Sequence, residues 1–131
     1  MAYVVDASAL VDSLVAIDGD AVRQLINAEE LLAPRILVNE VMSALRRLER
    51  AGVLPTELGD RSIARAARIS LTYIEDRLLM KEAWGMRGYL RTSEALYVAA
   101  ARVSKSPLLT SDDRLARAVR EQVADVRVVS I

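Results

Sequence analysis

The chain contains no histidine and no cysteine. Hydrolysis at neutral pH most often relies on a histidine base or a cysteine nucleophile, so both routes are closed. Thiolate zinc sites, iron–sulfur sites and a disulfide framework go with them, which fits a reducing compartment. Phenylalanine is also missing and aromatic residues make up only 4% of the chain. A platform that stacks bases on aromatic rings is therefore not expected. Neither sign of charge dominates, since 18 Lys and Arg residues face 18 Asp and Glu residues. Any contact with nucleic acid would have to come from a local patch. Long apolar runs are absent as well: the first is broken by Asp6 and Asp12 and has no basic leader, so it reads as neither a signal peptide nor a membrane span. A soluble, cytoplasmic protein is expected. Neither a Walker-type phosphate loop nor a GxGxxG turn occurs, so nucleotide binding through those loops has no support.

What is present is a composition that folds. Of 131 residues, 53% are hydrophobic and 27% charged. That suits one domain spanning residues 1–131, with a radius of gyration of roughly 14 Å. Residues 2–5 read as a buried strand, followed by Asp6 and a helix to Val15 with Ser8 as its N-cap. Residues 19–28 suggest a second helix, and 31–33 a short strand stopped by Pro34. A helix over 36–51 buries Leu37, Val41, Leu45 and Leu48 on one stripe and ends at Gly52. Further helices are expected over 55–67, 78–90, 94–103 (capped by Thr92 or Ser93) and from Ser111 to about 121, with strands over 69–74, 107–110 and 126–131. Strands and helices alternate throughout, the pattern of a three-layer α/β/α sandwich around a central parallel sheet.

Four acids stand where apolar strands end or apolar helices begin: Asp6, Glu40, Glu94 and Asp112. Taken singly, each has an ordinary explanation as a helix-dipole or solvated acid. Together they have another. All strands of a parallel sheet open their C-terminal ends on one edge, where ligands of such sheets bind. Asp6 and Asp112 follow strands directly, and the helices carrying Glu40 and Glu94 can reach the same edge. Carboxylates gathered there repel one another, so at least one should titrate high without a cation, and a hard ion such as Mg2+ or Mn2+ is the natural neutraliser. Arg47 lies on the Glu40 side of its helix, and Arg46 and Arg50 form an i, i+4 basic pair, so this helix offers phosphate contacts beside the acids.

The segments Val4-Val5-Asp6-Ala7-Ser8-Ala9-Leu10, Val38-Asn39-Glu40-Val41, Glu94-Ala95-Leu96-Tyr97-Val98-Ala99 and Leu108-Leu109-Thr110-Ser111-Asp112 resemble the PIN-domain ribonucleases of the VapC toxin group. The resemblance covers nearly the whole chain. It implies an endoribonuclease that cuts RNA with Mg2+ or Mn2+, pairs with a VapB-like antitoxin and forms a homodimer. It also implies Asp6, Glu94 and Asp112 as metal ligands, Glu40 for a second metal or a water, and the Ser8 and Thr110 hydroxyls as orienting groups. One position departs from the pattern: Glu94 stands where the family usually has aspartate, which adds a methylene. A rival class keeps the fold as a non-catalytic interaction domain binding a partner protein or RNA, and Glu94 is the residue that favours it. Aspartyl-phosphate chemistry of the haloacid-dehalogenase type fits poorly, because the second residue after Asp6 is Ser8 rather than aspartate.

Overall fold

A computed structural model describes residues 1–15, 26–27 and 29–131. The helix expected over 19–28 falls largely outside these. Strand β1 (Ala2–Val5) leads into helix α1 (Ala7–Val15); β2 (Glu30–Pro34) precedes α2 (Ile36–Arg50) and α3 (Thr56–Ala66); β3 (Leu71–Ile74) precedes α4 (Asp76–Gly85) and α5 (Thr92–Ser104); β4 (Leu108–Thr110) precedes α6 (Asp113–Gln122), and β5 (Val128–Ser130) closes the chain. The five strands form one sheet in the order β3-β2-β1-β4-β5, and every pairing is parallel.

This order fixes where a ligand can enter. The chain runs outward from β1 to β2 and β3, then returns to β4 on the other side of β1 and goes on to β5. Parallel crossovers are right-handed, so the two runs send their helices to opposite faces. The packing agrees: α1 lies against α2 and α3, while α5 lies against α4 and across β1, β2 and β4. The strand order reverses between β1 and β4, and a crevice opens beyond the C-terminal ends of such a pair. Val5 and Leu109 are register partners there, which brings Asp6 beside Thr110.

Central strands buried on both faces must be apolar throughout. Val4, Val5, Leu108 and Leu109 are fully buried. Helix α5 covers them with Ala95, Val98, Ala99, Ala100 and Ala101, small side chains that let the helix axis approach the sheet closely. Gly52 follows α2 with a φ of 74°, a left-handed turn in which its N–H bonds Glu49 O at 3.0 Å.

Several local expectations need correction. Helix α4 starts at Asp76 and stops at Gly85, five residues short of the expected end. Gly85 and Gly88 favour turns over helix, and Tyr89 and Leu90 both bond back to Met86 O. The hydroxyl residues expected as N-caps are not the caps. Asp6 caps α1 through a 2.9 Å bond from Ala9 N–H, and Asp112 caps α6 through a 3.1 Å bond from Leu115 N–H. At α5 the N-cap position is Arg91, whose N–H donates to Glu94 Oε1 at 3.0 Å.

Candidate active site

Asp6 leaves β1 at the switch point, 4% exposed, and is bound from three directions. Ala9 N–H and Ser8 Oγ donate to its Oδ1 at 2.9 and 2.7 Å, and Thr110 Oγ1 donates to its Oδ2 at 2.5 Å. Ser8 in turn accepts from Ser111 N–H at 3.1 Å, and Thr110 accepts from Asp112 N–H at 3.0 Å. The ends of two neighbouring strands are thus tied through two hydroxyls, which leaves the Asp6 carboxylate one orientation. Burial pushes its pKa above the usual aspartate value; the bonds from Thr110, Ala9 and Ser8 oppose that rise, and the Asp112 charge adds a smaller upward push. Desolvation, rather than the expected like-charge repulsion, is the leading cause.

Asp112, Glu40 and Glu94 line the same cleft as Asp6, a depression of about 610 Å³ that also takes in Ser8, Asn39, Ser43, Arg47, Arg91, Tyr97 and Arg114. The sheet edge therefore gathers four acids from positions far apart in sequence. Each is held by its own partner. Asp112 caps α6; Glu40 receives the Tyr97 phenol at 2.5 Å; Glu94, nearly buried, takes Arg91 N–H on Oε1 and the Arg114 guanidinium on Oε2. Drawn apart in this way, no three acids among the described residues stand close enough to share one ion with the side chains as placed. The donor chemistry nevertheless fits a hard divalent cation, for it consists of carboxylate and hydroxyl oxygens with no imidazole or thiolate.

Two residues at the cleft were missed in the sequence. Tyr97 sits in a helix that reads as apolar almost all round, yet its ring is 3% exposed with the hydroxyl on Glu40. Burial first, and then the Glu40 carboxylate, hold the phenol firmly protonated, so it can only donate to Glu40. Arg114 lies two residues beyond Asp112, and only the rotation of α6 decides that it faces Glu94. Of the three arginines read as phosphate contacts, Arg47 lines the cleft; Arg46 lies in a separate depression with Glu49 and Asp60, and Arg50 lines neither. Asp113 is exposed, as an acid pointing along its helix should be.

A parallel sheet whose switch point carries carboxylates from β1, α2, α5 and the end of β4 defines the class of fold, and the family model of the PIN domain matches residues 3–121. The chain belongs to the PIN-domain family. Within the family it is similar to ribonuclease VapC3 of Mycobacterium tuberculosis, with 39% identity over 117 residues that cover 88% of this chain and 85% of that one. Ribonuclease VapC9 of the same organism is 38% identical over 112 residues, covering 86% and 87% of the two chains. Among solved structures, PAE2754 from Pyrobaculum aerophilum superposes with a TM-score of 0.73 at 22% identity, covering 98% of this chain and 84% of that one. VapBC2 from Rickettsia felis, bound to a DNA fragment from its promoter, gives a TM-score of 0.72 at 10% identity, covering 100% and 99%. At those identities the two structures speak for the fold alone.

Proposed function

We propose that this chain is the toxin of a toxin–antitoxin pair, an endoribonuclease that hydrolyses RNA phosphodiester bonds in the acidic cleft with Mg2+ or Mn2+. The observation that carries this reading is the buried Asp6, locked by Ser8 and Thr110 beside Asp112 at the switch point. Relatives at 39% identity named as ribonucleases support it. Asp6, Asp112 and Glu94 would hold the ion and Glu40 a second ion or a water. When bound, a divalent ion supplies Lewis-acid stabilisation of phosphate charge and a lowered pKa for water. The chain's own part is to aim and fix the donors. Ser8 and Thr110 hold both Asp6 oxygens, Tyr97 holds Glu40, and Arg47 offers its guanidinium to an RNA phosphate at the rim.

The test is cleavage of a structured RNA. Activity should vanish in EDTA and return with Mg2+ or Mn2+; undiminished cleavage in EDTA would reject the metal reading. Tyr97→Phe should lower cleavage about tenfold, the lower end of what supporting hydrogen bonds at metal ligands contribute. Circular dichroism should be unchanged, and a fully active variant would leave Glu40 without need of its donor. Arg47→Ala should weaken RNA binding and lower the slope of log affinity against log salt by about one, whereas Arg46→Ala should leave the slope alone. Equal slopes for both variants would remove Arg47 from the interface.

A VapB-like antitoxin is the proposed partner, covering the cleft and placing a basic side chain among the carboxylates. An apolar groove lined by Leu37, Val38, Met42, Ile63 and Tyr73 runs along α2, the helix that carries Glu40, and gives such a segment a place to bury apolar side chains. The proposed homodimer would use the large apolar side chains exposed around α4 and the turn that follows it, Leu78, Met80, Trp84 and Tyr89. The second reading, a PIN-fold interaction domain without catalysis, is favoured by one observation: the Arg114 guanidinium stands on Glu94 where a cation would be expected. The EDTA experiment separates the two.

A further inference from the structure

Among the described residues, Glu94 differs from the other acids of the cleft because a cationic side chain of the same protein already neutralises it. Its side chain is 11% exposed and both carboxylate oxygens are occupied, Oε1 by Arg91 N–H and Oε2 by the Arg114 guanidinium. Arg114 itself is 52% exposed, so one end of its side chain lies against the acid while the rest faces open solvent over the cleft. Its backbone sits in the first turn of α6, held by the Asp112 cap and by the buried Leu115, Ala116 and Val119. Helix position is therefore fixed and the long side chain is free to change partners.

Resting on the metal-dependent nuclease reading above, we propose that Arg114 is an exchangeable cation: it holds Glu94 until a divalent ion takes that carboxylate, and then turns to a phosphate of the RNA. The exchange follows from charge. Asp6, Asp12, Glu40, Glu94 and Asp112 face the cleft against Arg47, Arg91 and Arg114, and one carboxylate cannot serve a guanidinium and a small divalent ion through the same oxygen. The divalent ion brings twice the charge and shorter contacts, so it displaces the arginine. A guanidinium released at the mouth of the cleft then has a planar, bidentate fork suited to phosphate and, among the described residues, no other acid bonded to it. Metal and RNA binding become coupled through one side chain, with metal favouring RNA and RNA favouring metal by the same factor. Glutamate at position 94 serves this arrangement, since its extra methylene lets one carboxylate meet both the start of its own helix and the side chain from α6.

Isothermal titration of the RNA-free protein with Mn2+ provides a readout independent of activity. Arg114→Gln should bind Mn2+ more tightly by about fivefold, the order of an ion pair half open to water. Binding of the RNA, read in rapid mixing before turnover with and without Mn2+, should tighten with metal in the parent and in Arg114→Lys, and clearly less in Arg114→Gln. Because α6 keeps its cap and its buried face, the variants should keep the parent's circular dichroism spectrum. Unchanged or weaker Mn2+ binding by Arg114→Gln would overturn the exchange, and equal metal-induced tightening of RNA in Arg114→Gln and the parent would overturn the phosphate contact. If neither the parent nor the variant binds Mn2+, the metal reading itself falls and takes this proposal with it. Mn2+ binding by the parent with no change in the variant removes only the role of Arg114.

Discussion

Asp6→Asn is expected to abolish RNA cleavage while leaving the protein at least as stable as the parent at neutral pH. Removing a group that stabilises charge at a reacting centre typically lowers rate by a factor of about a hundred or more. The stability half follows from the raised pKa of Asp6, for which burial is the first cause. Below the ordinary aspartate pKa the group is neutral in both the folded and the unfolded chain and carries no penalty. As pH rises through the elevated folded value, the unfolded chain ionises more readily and the folded protein loses stability. Asparagine has no charge to desolvate, so the metal-free variant should hold its melting temperature across this window while the parent's declines. Thermal melts in EDTA from acidic to neutral pH check this directly. A variant that cleaves RNA normally removes Asp6 from the chemistry, and one that melts well below the parent at neutral pH contradicts the desolvation account.

Leu109→Ala is expected to destabilise the fold by about 2–5 kcal/mol, the range for a large aliphatic side chain deleted from a close-packed core. Leu109 is fully buried on β4, pairs with Val5 and Val129, and its carbonyl accepts Asp6 N–H at 3.1 Å. The same residue therefore packs the middle of the sheet and sets the position from which Asp6 projects. Loss of activity should accompany loss of stability in this variant, unlike Asp6→Asn, where the two separate. Urea denaturation followed by far-ultraviolet circular dichroism gives the number, and a cost under about 1 kcal/mol would show that the sheet centre tolerates a cavity there.

The sheet and its edge were legible because their signals are local. Val4-Val5 followed by Asp6, and Leu108-Leu109-Thr110 followed closely by Asp112, each combine an apolar run too short for a helix with an acid that ends it, and parallel topology then puts both acids on one edge. The caps were misread for a physical reason. Serine, threonine and aspartate cap helices about equally well, so sequence cannot choose between neighbours such as Asp6 and Ser8. Tertiary bonds made the choice: Ser8 is engaged with Asp6, Thr110 and Ser111 across two strands. Tyr97 was hidden by its surroundings, since an aromatic in an alanine-rich buried helix looks like core until Glu40 is seen beside its hydroxyl. Arg114 was hidden differently. Nothing between residues 94 and 114 encodes their meeting, which depends on how α5 and α6 are placed by the sheet. The departure at position 94 was visible; that its longer side chain serves an arginine required the fold.

Binding of the proposed divalent ion by the acids at the switch point can be seen in a crystal of this chain grown with Mn2+ and measured at a wavelength where manganese scatters anomalously. An anomalous peak is expected inside the cleft, at direct ligand distance of about 2.0–2.2 Å from an Asp6 oxygen and adjacent to Asp112. A cleft without a peak at a Mn2+ concentration that supports cleavage, or a single peak bound elsewhere on the surface, would contradict it.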